Sequence, residues 1–398
     1  MLLKLIRYEL KKQLGNQFFL AALCLLLAVN VLLNCGIDAY ADTKNTMEEL
    51  GLSFEPDYWQ YRDSSIAMTT DSRERYALVY ANREAFAAAM QEKYGEGAFD
   101  PFAALPMESL ATPGYFGSQW NDSMLIQTYL DLEDRNGELQ TALDTVVEAA
   151  KAYGQEALAE GDNYGVRRNL QIIKLYTLPR GQITSPVMGW DDYLFDSPAM
   201  LFIFLLMLLA WGGSFAGERE KQTVLLLHTA KNGKGKTLAA KYLAGVLTAA
   251  GLTIVFQAVT LGTVWFKEGL LGVHQPAAAM EQLRLLPYSW RVWQYALVHL
   301  GCQILSAAAL SVIVNTISAF SKTSVTAYAA AAVVLGLLLL AGFLALAEPL
   351  TFFDAYNTAN IFGFPVLRCI LQIMLWTLTA GLCIFTAHRV FHRKGKVV

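Results

Sequence analysis

Ala199-Met-Leu-Phe-Ile-Phe-Leu-Leu-Met-Leu-Leu-Ala-Trp-Gly-Gly-Ser-Phe215 carries no charge, and it runs directly into Ala216-Gly-Glu-Arg-Glu-Lys-Gln-Thr223, where acids and bases alternate. An uninterrupted apolar helix belongs in lipid, and a charged stop just past it marks the edge of the hydrocarbon layer. Working outward, five further windows have the roughly 20 predominantly apolar residues that a crossing needs. They are Phe18–Gly36, Leu243–Phe266, Val298–Phe320, Val325–Ala347 and Val366–Ala387. The pattern predicts an all-α polytopic membrane protein with six transmembrane helices.

Composition agrees, with 55% hydrophobic and only 16% charged residues and a mean hydropathy of +0.34. These values suit lipid better than water. The net charge of −3 conceals a segregation: most acid lies between Asp38 and Asp196, and the other polar segments are mostly basic. The cysteines, Cys24, Cys35, Cys302, Cys369 and Cys383, all lie in or beside apolar runs, which argues against a disulfide framework. Leu32-Leu33-Asn34-Cys35 is a poor lipid-attachment site because Asn stands where a small residue is needed. Phe18–Gly36 is too long for a signal core and lacks a small-x-small cleavage site, so it reads as a retained anchor.

Orientation follows the basic residues near the span ends. Lys4, Arg7, Lys11 and Lys12 precede the first span; Arg219, Lys221, Lys231, Lys234, Lys236 and Lys241 lie between the second and third; Arg389, Arg393, Lys394 and Lys396 follow the last. Six spans place all three clusters, and both termini, in the cytoplasm of a cell-membrane protein. The expected layout is an amphipathic interfacial helix over 1–16, a first span over 17–37 and a mainly helical extracytoplasmic domain over 38–196. Five spans then occupy 197–388 with a cytoplasmic loop at 216–241, and a basic tail covers 389–398. Lys267–Gln294 and Glu348–Pro365 face outward, and Ser321-Lys322-Thr323 is an inner turn.

Within 1–16, Leu3, Ile6, Leu10 and Leu14 share one helical face and Lys4, Arg7 and Lys11 another. This fits a helix lying in the headgroup layer, or an n-region that only sets topology. In the outer domain, helical stretches are expected at Ser72–Lys93 and at Glu138–Glu160, where Leu139, Leu143, Val146, Val147 and Ala150 recur at helical spacing. Pro101, Pro106, Pro113 and Gly114 mark a break between two halves. The acidic excess fits either a cationic ligand or an ordinary soluble surface. Aromatic residues from Phe352 to Phe364 suggest a shallow re-entrant hairpin.

The inner loop Glu218-Arg-Glu-Lys-Gln-Thr223-Val-Leu-Leu-Leu227 describes a short helix that can rest in a groove of a soluble partner, or a solvated juxtamembrane helix. Ala230-Lys-Asn-Gly-Lys-Gly-Lys236-Thr237 satisfies a relaxed phosphate-loop pattern. Such loops, however, work at the edge of a parallel sheet that also supplies a metal-binding aspartate, and a helix entering the membrane leaves no room for one. The preferred reading makes Lys234, Lys236 and Lys241, with Lys4, Arg7 and Lys11, a cytoplasmic basic surface facing lipid phosphates. His228, His274, His299, His388 and His392 are scattered, and no spacing suits a metal or a catalytic pair. Asn30, Gln257, Gln303, Asn315 and Arg368 fall at membrane depth. They are candidates for a transport path or subunit contact, with helix bridging by the amides and outward snorkelling by Arg368 as the plainer alternatives.

Taken with the topology, the inner loop resembles that of permease subunits of the type-2 ATP-binding-cassette exporter family. The likeness covers most of the chain, from the amphipathic N-terminal helix through the Glu218–Leu227 element to the basic stretch ending at Lys241. The aromatic loop before the last span is similar to the family's outer re-entrant helices. The resemblance implies that Glu218, Glu220 and Thr223, with Arg219 and Lys221 between them, contact a separate ATPase that holds ATP and Mg. This chain itself would bind no cofactor and catalyse nothing. It also implies a homodimer or a heterodimer with a second permease, export of a substrate, and no nucleic-acid partner. The large first outer segment departs from the family's usual short loop and leaves substrate class open among peptide, antibiotic and lipid-like cargo; it could gate release, bind a peptide antibiotic or engage the cell wall. Rival readings are a mechanotransmitting four-span subunit, against which six spans argue, and a membrane-anchored sensor or assembly protein that transports nothing.

Overall fold

The computed structural model describes residues 2–34, 118–184, 187, 189–195, 197–223, 233–268, 270–340 and 358–393. The chain divides into two compact units, one of Met1–Asn34, Tyr193–Thr263 and Ala296–Val398, the other of Cys35–Asp192 and Val264–Tyr295. Ser72–Lys93, the proline-marked break, Val224–Leu227, Lys231 and 341–357 lie outside the described residues.

In the first unit α1 (Leu2–Leu14) and α2 (Gln17–Asn34) precede α6 (Ala199–Trp211) and the one-turn α7 (Ala216–Glu220). The long helices α8 (Gly233–Glu268) and α9 (Val292–Phe320), then α10 (Ser324–Leu340), complete the series. A helix apolar on every face must be surrounded by protein or lipid. Ile203, Leu206, Met207 and Trp211 of α6 are fully buried, packed with Phe19, Ala244 and Ala331 from neighbouring helices. Phe18, Leu25, Leu32 and Leu33 of α2 are instead exposed, as expected of a lipid-facing surface. Among the described residues four helical stretches are long and apolar enough to cross a membrane: Gln17–Asn34, Trp190–Glu220, Gly235–Phe266 and Val292–Phe320.

In lipid the hydrophobic effect does not drive helices together, so close approach and polar contacts must. Gly245 provides such an approach: a Cβ there would lie 2.4 Å from Ser311 Oγ and 2.7 Å from Asn315 Nδ2. Tyr242 and Thr316 join the same two helices by a 2.8 Å hydroxyl hydrogen bond.

The second unit contains a helical hairpin. α3 (Ser118–Ala159) and α4 (Asn163–Tyr176) turn at Gly161, whose φ of +73° suits glycine. Asp162 caps α4 by accepting from Tyr164 N at 3.0 Å. Leu139, Leu143, Val147 and Ala150 are buried on one face of α3, as their spacing predicts, while the helix begins well before the expected Glu138. Residues 270–291, built on short 3-10 turns, dock within this unit. Tyr176 OH donates to the Leu285 carbonyl at 2.8 Å, Thr184 N donates to Gln275 Oε1 at 2.9 Å, and Arg284 pairs with Glu138 at 3.1 Å. The short α5 (Trp190–Leu194) follows in sequence.

Of the expected outer loop Glu348–Pro365 only the end is described, and there residues 358–367 form an antiparallel hairpin of β1 (Thr358–Ile361) and β2 (Phe364–Leu367). Phe362 and Gly363 both have positive φ, 51° and 81°, as a two-residue hairpin turn requires, and Asn360 Oδ1 accepts from Gly363 N at 2.8 Å. Val366 and Leu367 therefore belong to a strand, and the final helix α11 (Arg368–Arg393) starts after them. The described residues are mostly helical, compatible with the expected all-α class, with this hairpin as their one sheet.

Candidate functional site

The site is built where α1, the 213–220 segment and the start of α8 meet. Lys241 was expected to face lipid, but its side chain is wholly buried. Its ammonium donates to Glu218 Oε1 at 2.8 Å, the Ser214 carbonyl at 3.0 Å and Glu9 Oε2 at 3.1 Å. Three N–H donors thus meet three acceptors. The Phe215 ring lies 5.1 Å from Lys241 Nζ, a cation–π distance. Lys12 donates to the same Glu218 oxygen, so two cations and two carboxylates form a neutral cluster. The reason for the correction is energetic: a buried ammonium is costly alone, and only carboxylates brought from elsewhere in the chain make its burial possible. Burial opposes the charge on Lys12, but the Glu218 carboxylate bonded to it outweighs that and raises its pKa above the ordinary 10.5.

The neighbouring residues fasten other helix ends. Arg219 donates to the carbonyls of Ser321 and, at 2.8 Å, Ala319. It thereby satisfies groups at the C-terminus of α9 that have no intrahelical donor. Glu220 accepts from Ser324 N at 3.2 Å and from its hydroxyl, holding the start of α10. Ser318 Oγ accepts from Phe215 N at 3.0 Å and Ala216 N at 3.2 Å. Glu218, Arg219 and Glu220 therefore all make bonds within the chain, and so does Thr223, whose hydroxyl donates to the Glu218 carbonyl at 3.0 Å, whereas Lys221 is exposed. Gly212 and Gly213 admit the Tyr328 ring against the backbone, since a Cβ at Gly212 would lie 2.6 Å from it. Beside this element is a cavity of about 630 Å³ whose rim includes Tyr8, Gln13, Glu220, Lys221, Thr223 and Ser324.

Lys4, Arg7, Lys11 and Lys236 are exposed, and Lys234 lies in the first turn of α8. Leu3, assigned to the apolar face of α1, is 80% exposed, because the buried side of the helix is centred nearer Ile6 and Glu9. The end of the phosphate-loop-like stretch, Gly233–Thr237, opens α8, and Thr237 is buried. Among the described residues the sheet is two-stranded and antiparallel, so it lacks the parallel edge on which such a loop works. No group of three His, Cys, Asp or Glu placed to hold a metal occurs among the described residues.

The polar residues at membrane depth do not converge on one point. Asn30 Nδ2 donates to Thr260 Oγ1 at 3.0 Å, within reach of Ser197. Gln257, one turn earlier on α8, is buried with neither amide atom bonded. Gln303 Nε2 lies 2.6 Å from His299 Nε2, while Gln303 Oε1 and His299 Nδ1 are buried without partners. Asn315 accepts from Ser214 Oγ at 2.7 Å and donates to the Ser311 carbonyl at 3.0 Å, which makes it a brace of the inner site. Arg368 opens α11, and its side chain lies outside the described residues. Sequence reasoning overlooked Glu9; its one signal was a lone acid within a basic amphipathic helix.

Comparison with protein-family models, curated proteins and solved structures finds no match.

Proposed function

We propose that this chain is the membrane-spanning permease subunit of an ATP-driven exporter of the type-2 cassette class, working with a separate ATPase that holds ATP and Mg. The observation that carries this reading is the Lys241 cluster and its flanking bonds. They make residues 213–220 a stiff element joined to α1, α8, α9 and α10. A protein that receives work from a soluble partner needs such an element, because a push on a loose loop is lost as loop motion. The adjoining cavity, with Lys221 and Thr223 on its rim, offers the partner a seat.

In this reading the chain crosses the membrane six times, with both ends in the cytoplasm. Residues 1–14, 213–223, 237–241 and 319–324 share one set of bonds, whereas 136–184 and 270–295 share another. In this reading α2, α6, α8, α9, α10 and α11 are the six crossings. Two permeases, identical or not, would then flank a substrate path whose exposure alternates with the ATPase cycle.

The test is affinity purification from the native membrane in mild detergent, with identification of co-purifying chains and an ATPase assay. The expected result is a stoichiometric ATPase, lost from the double variant Lys221→Glu/Thr223→Arg, which leaves the buried cluster intact. A chain that purifies alone, without ATPase activity, overturns the reading in favour of a sensor or assembly protein.

A further inference from the structure

The second unit contains a groove of about 660 Å³ that no part of the exporter reading uses. It follows one face of α3 from Asn136 to Lys151, a length of about 22 Å at helical rise. Leu139, Leu143 and Val147 form its apolar floor, and the opposite wall is the end of α4 at Tyr176 with the non-helical strip Thr177 to Gln182. Pro179 keeps that strip from continuing α4.

Two features of the wall call for a ligand. The first is its main chain: among the described residues, the N–H and carbonyl groups of Arg180, Gly181 and Gln182 make no hydrogen bond. On either side the chain is tied down, with Thr177 N donating to the Ile173 carbonyl and Ile183 N to Asn136 Oδ1, both at 3.0 Å. A free strip between two anchors is what an extended peptide can pair with.

The second feature is Arg180. One guanidinium nitrogen donates to the Leu286 carbonyl, and the Tyr176 ring lies 5.4 Å from the guanidinium carbon. The remaining nitrogens, Nε and Nη2, are buried and meet no acceptor. These two N–H groups form one straight edge of the guanidinium, the edge that takes both oxygens of a carboxylate. The plane is already fixed by the carbonyl and the ring, so a carboxylate there completes a prepared fork.

We propose that this groove binds an extended, carboxylate-bearing peptide segment of about seven residues, a length that matches the groove at roughly 3.3 Å per residue. The peptide main chain pairs with Arg180 to Gln182, its apolar side chains rest on Leu139, Leu143 and Val147, and its carboxylate takes the free edge of Arg180. Asp144 and Glu148 on one rim are balanced by Lys151 and Arg180, so the groove selects main chain and carboxylate, not overall charge. This goes beyond the exporter reading and does not depend on it.

The test uses the full chain in lipid nanodiscs, immobilised and incubated with a pool of random heptapeptides in free-acid form, with the retained peptides measured by mass spectrometry. The expected result is a retained set that drops at least tenfold for a backbone N-methylated pool and for an amidated pool without Asp or Glu. Arg180→Lys, which keeps the charge but not the fork, should lose as much. An amidated pool that keeps Asp and Glu separates a terminal carboxylate from a side-chain one. Absence of retention, or equal retention of the N-methylated or carboxylate-free pool, overturns the proposal. Both pools are measured on the unaltered chain, so the outcome stands even if the variant fails to fold.

Discussion

Lys241 and Glu9, 232 residues apart in sequence, meet at 3.1 Å with side chains 0% and 6% exposed. Breaking a buried pair by removing one partner leaves the other charge stranded, at a cost of about 3–5 kcal/mol. Lys241→Met strands Glu9 and leaves Glu218 to Lys12 alone, so a large loss of stability is expected, visible as a lower unfolding midpoint of the detergent-purified chain. Adding Glu9→Gln to Lys241→Met should recover part of the loss, because the stranded carboxylate is then neutral. Single and double variants unfolding at the unaltered chain's midpoint would show that the cluster holds nothing together.

The Lys12–Glu218 pair gives the inner site a pH dependence at the alkaline end. Lys12 has a folded pKa above its unfolded 10.5, so its contribution is fully present below 10.5 and disappears as pH rises through the folded value. The side chain is 37% exposed, and solvent screening keeps the contribution small. Stability should therefore fall more steeply above pH 10.5 in the unaltered chain than in Lys12→Met. Parallel slopes for the two, in unfolding midpoints measured from pH 8 upward, would remove Lys12 from the account.

The apolar windows were legible because their signal is local: α2, α6 and the membrane parts of α8 and α9 fall where hydropathy alone places them. The buried face of α3 was legible for the same reason, with Leu139, Leu143 and Val147 recurring at helical spacing. The inner site was only half legible. Alternating charge drew attention to Glu218–Lys221, but the partners that orient these residues, Glu9, Ser318, Ser321 and Ser324, come from other parts of the chain, and no local pattern pairs them. Lys241 was misread on that account, since a lysine at the foot of a span ordinarily faces headgroups unless a distant carboxylate claims it. That residues 358–367 pair as two strands was not legible, because the aromatic residues signalled only the membrane interface and Phe362 is an unusual residue for a positive φ.

Glycines in α8 should divide sharply by position. At Gly245 a Cβ would meet Ser311 Oγ at 2.4 Å and Asn315 Nδ2 at 2.7 Å, whereas at Gly251 and Gly262 it would meet nothing within 4 Å. Gly245→Ala must displace the Asn315 brace and should destabilise by about 1–3 kcal/mol, the usual cost of overpacking. Gly251→Ala and Gly262→Ala should be neutral or stabilising, since alanine is the better helix former by about 1 kcal/mol. Three equal unfolding midpoints would mean that α8 and α9 are not in close contact at Gly245.

The two sets of bonds make a prediction about sidedness that needs no partner protein. Residues joined to Glu218 or Arg219 must share one side of the membrane, and residues joined to Tyr176 or Gln275 must share one side too. Single cysteines can be placed at exposed positions of each set, in a background with the five native cysteines replaced. Lys11→Cys, Lys236→Cys and Lys322→Cys report on the first, and Glu148→Cys and Glu281→Cys on the second. A membrane-impermeant maleimide added to intact cells should label Glu148→Cys and Glu281→Cys, and should reach the other three only after the membrane is opened. This is what the proposed six-span reading expects, with the basic clusters on the cytoplasmic side. Labelling of Lys236→Cys in intact cells, with Lys11→Cys still protected, would put an odd number of crossings between two segments that share the Lys241 cluster. That outcome would refute the six-span arrangement and the cluster at once, because no carboxylate on α1 could then reach Lys241.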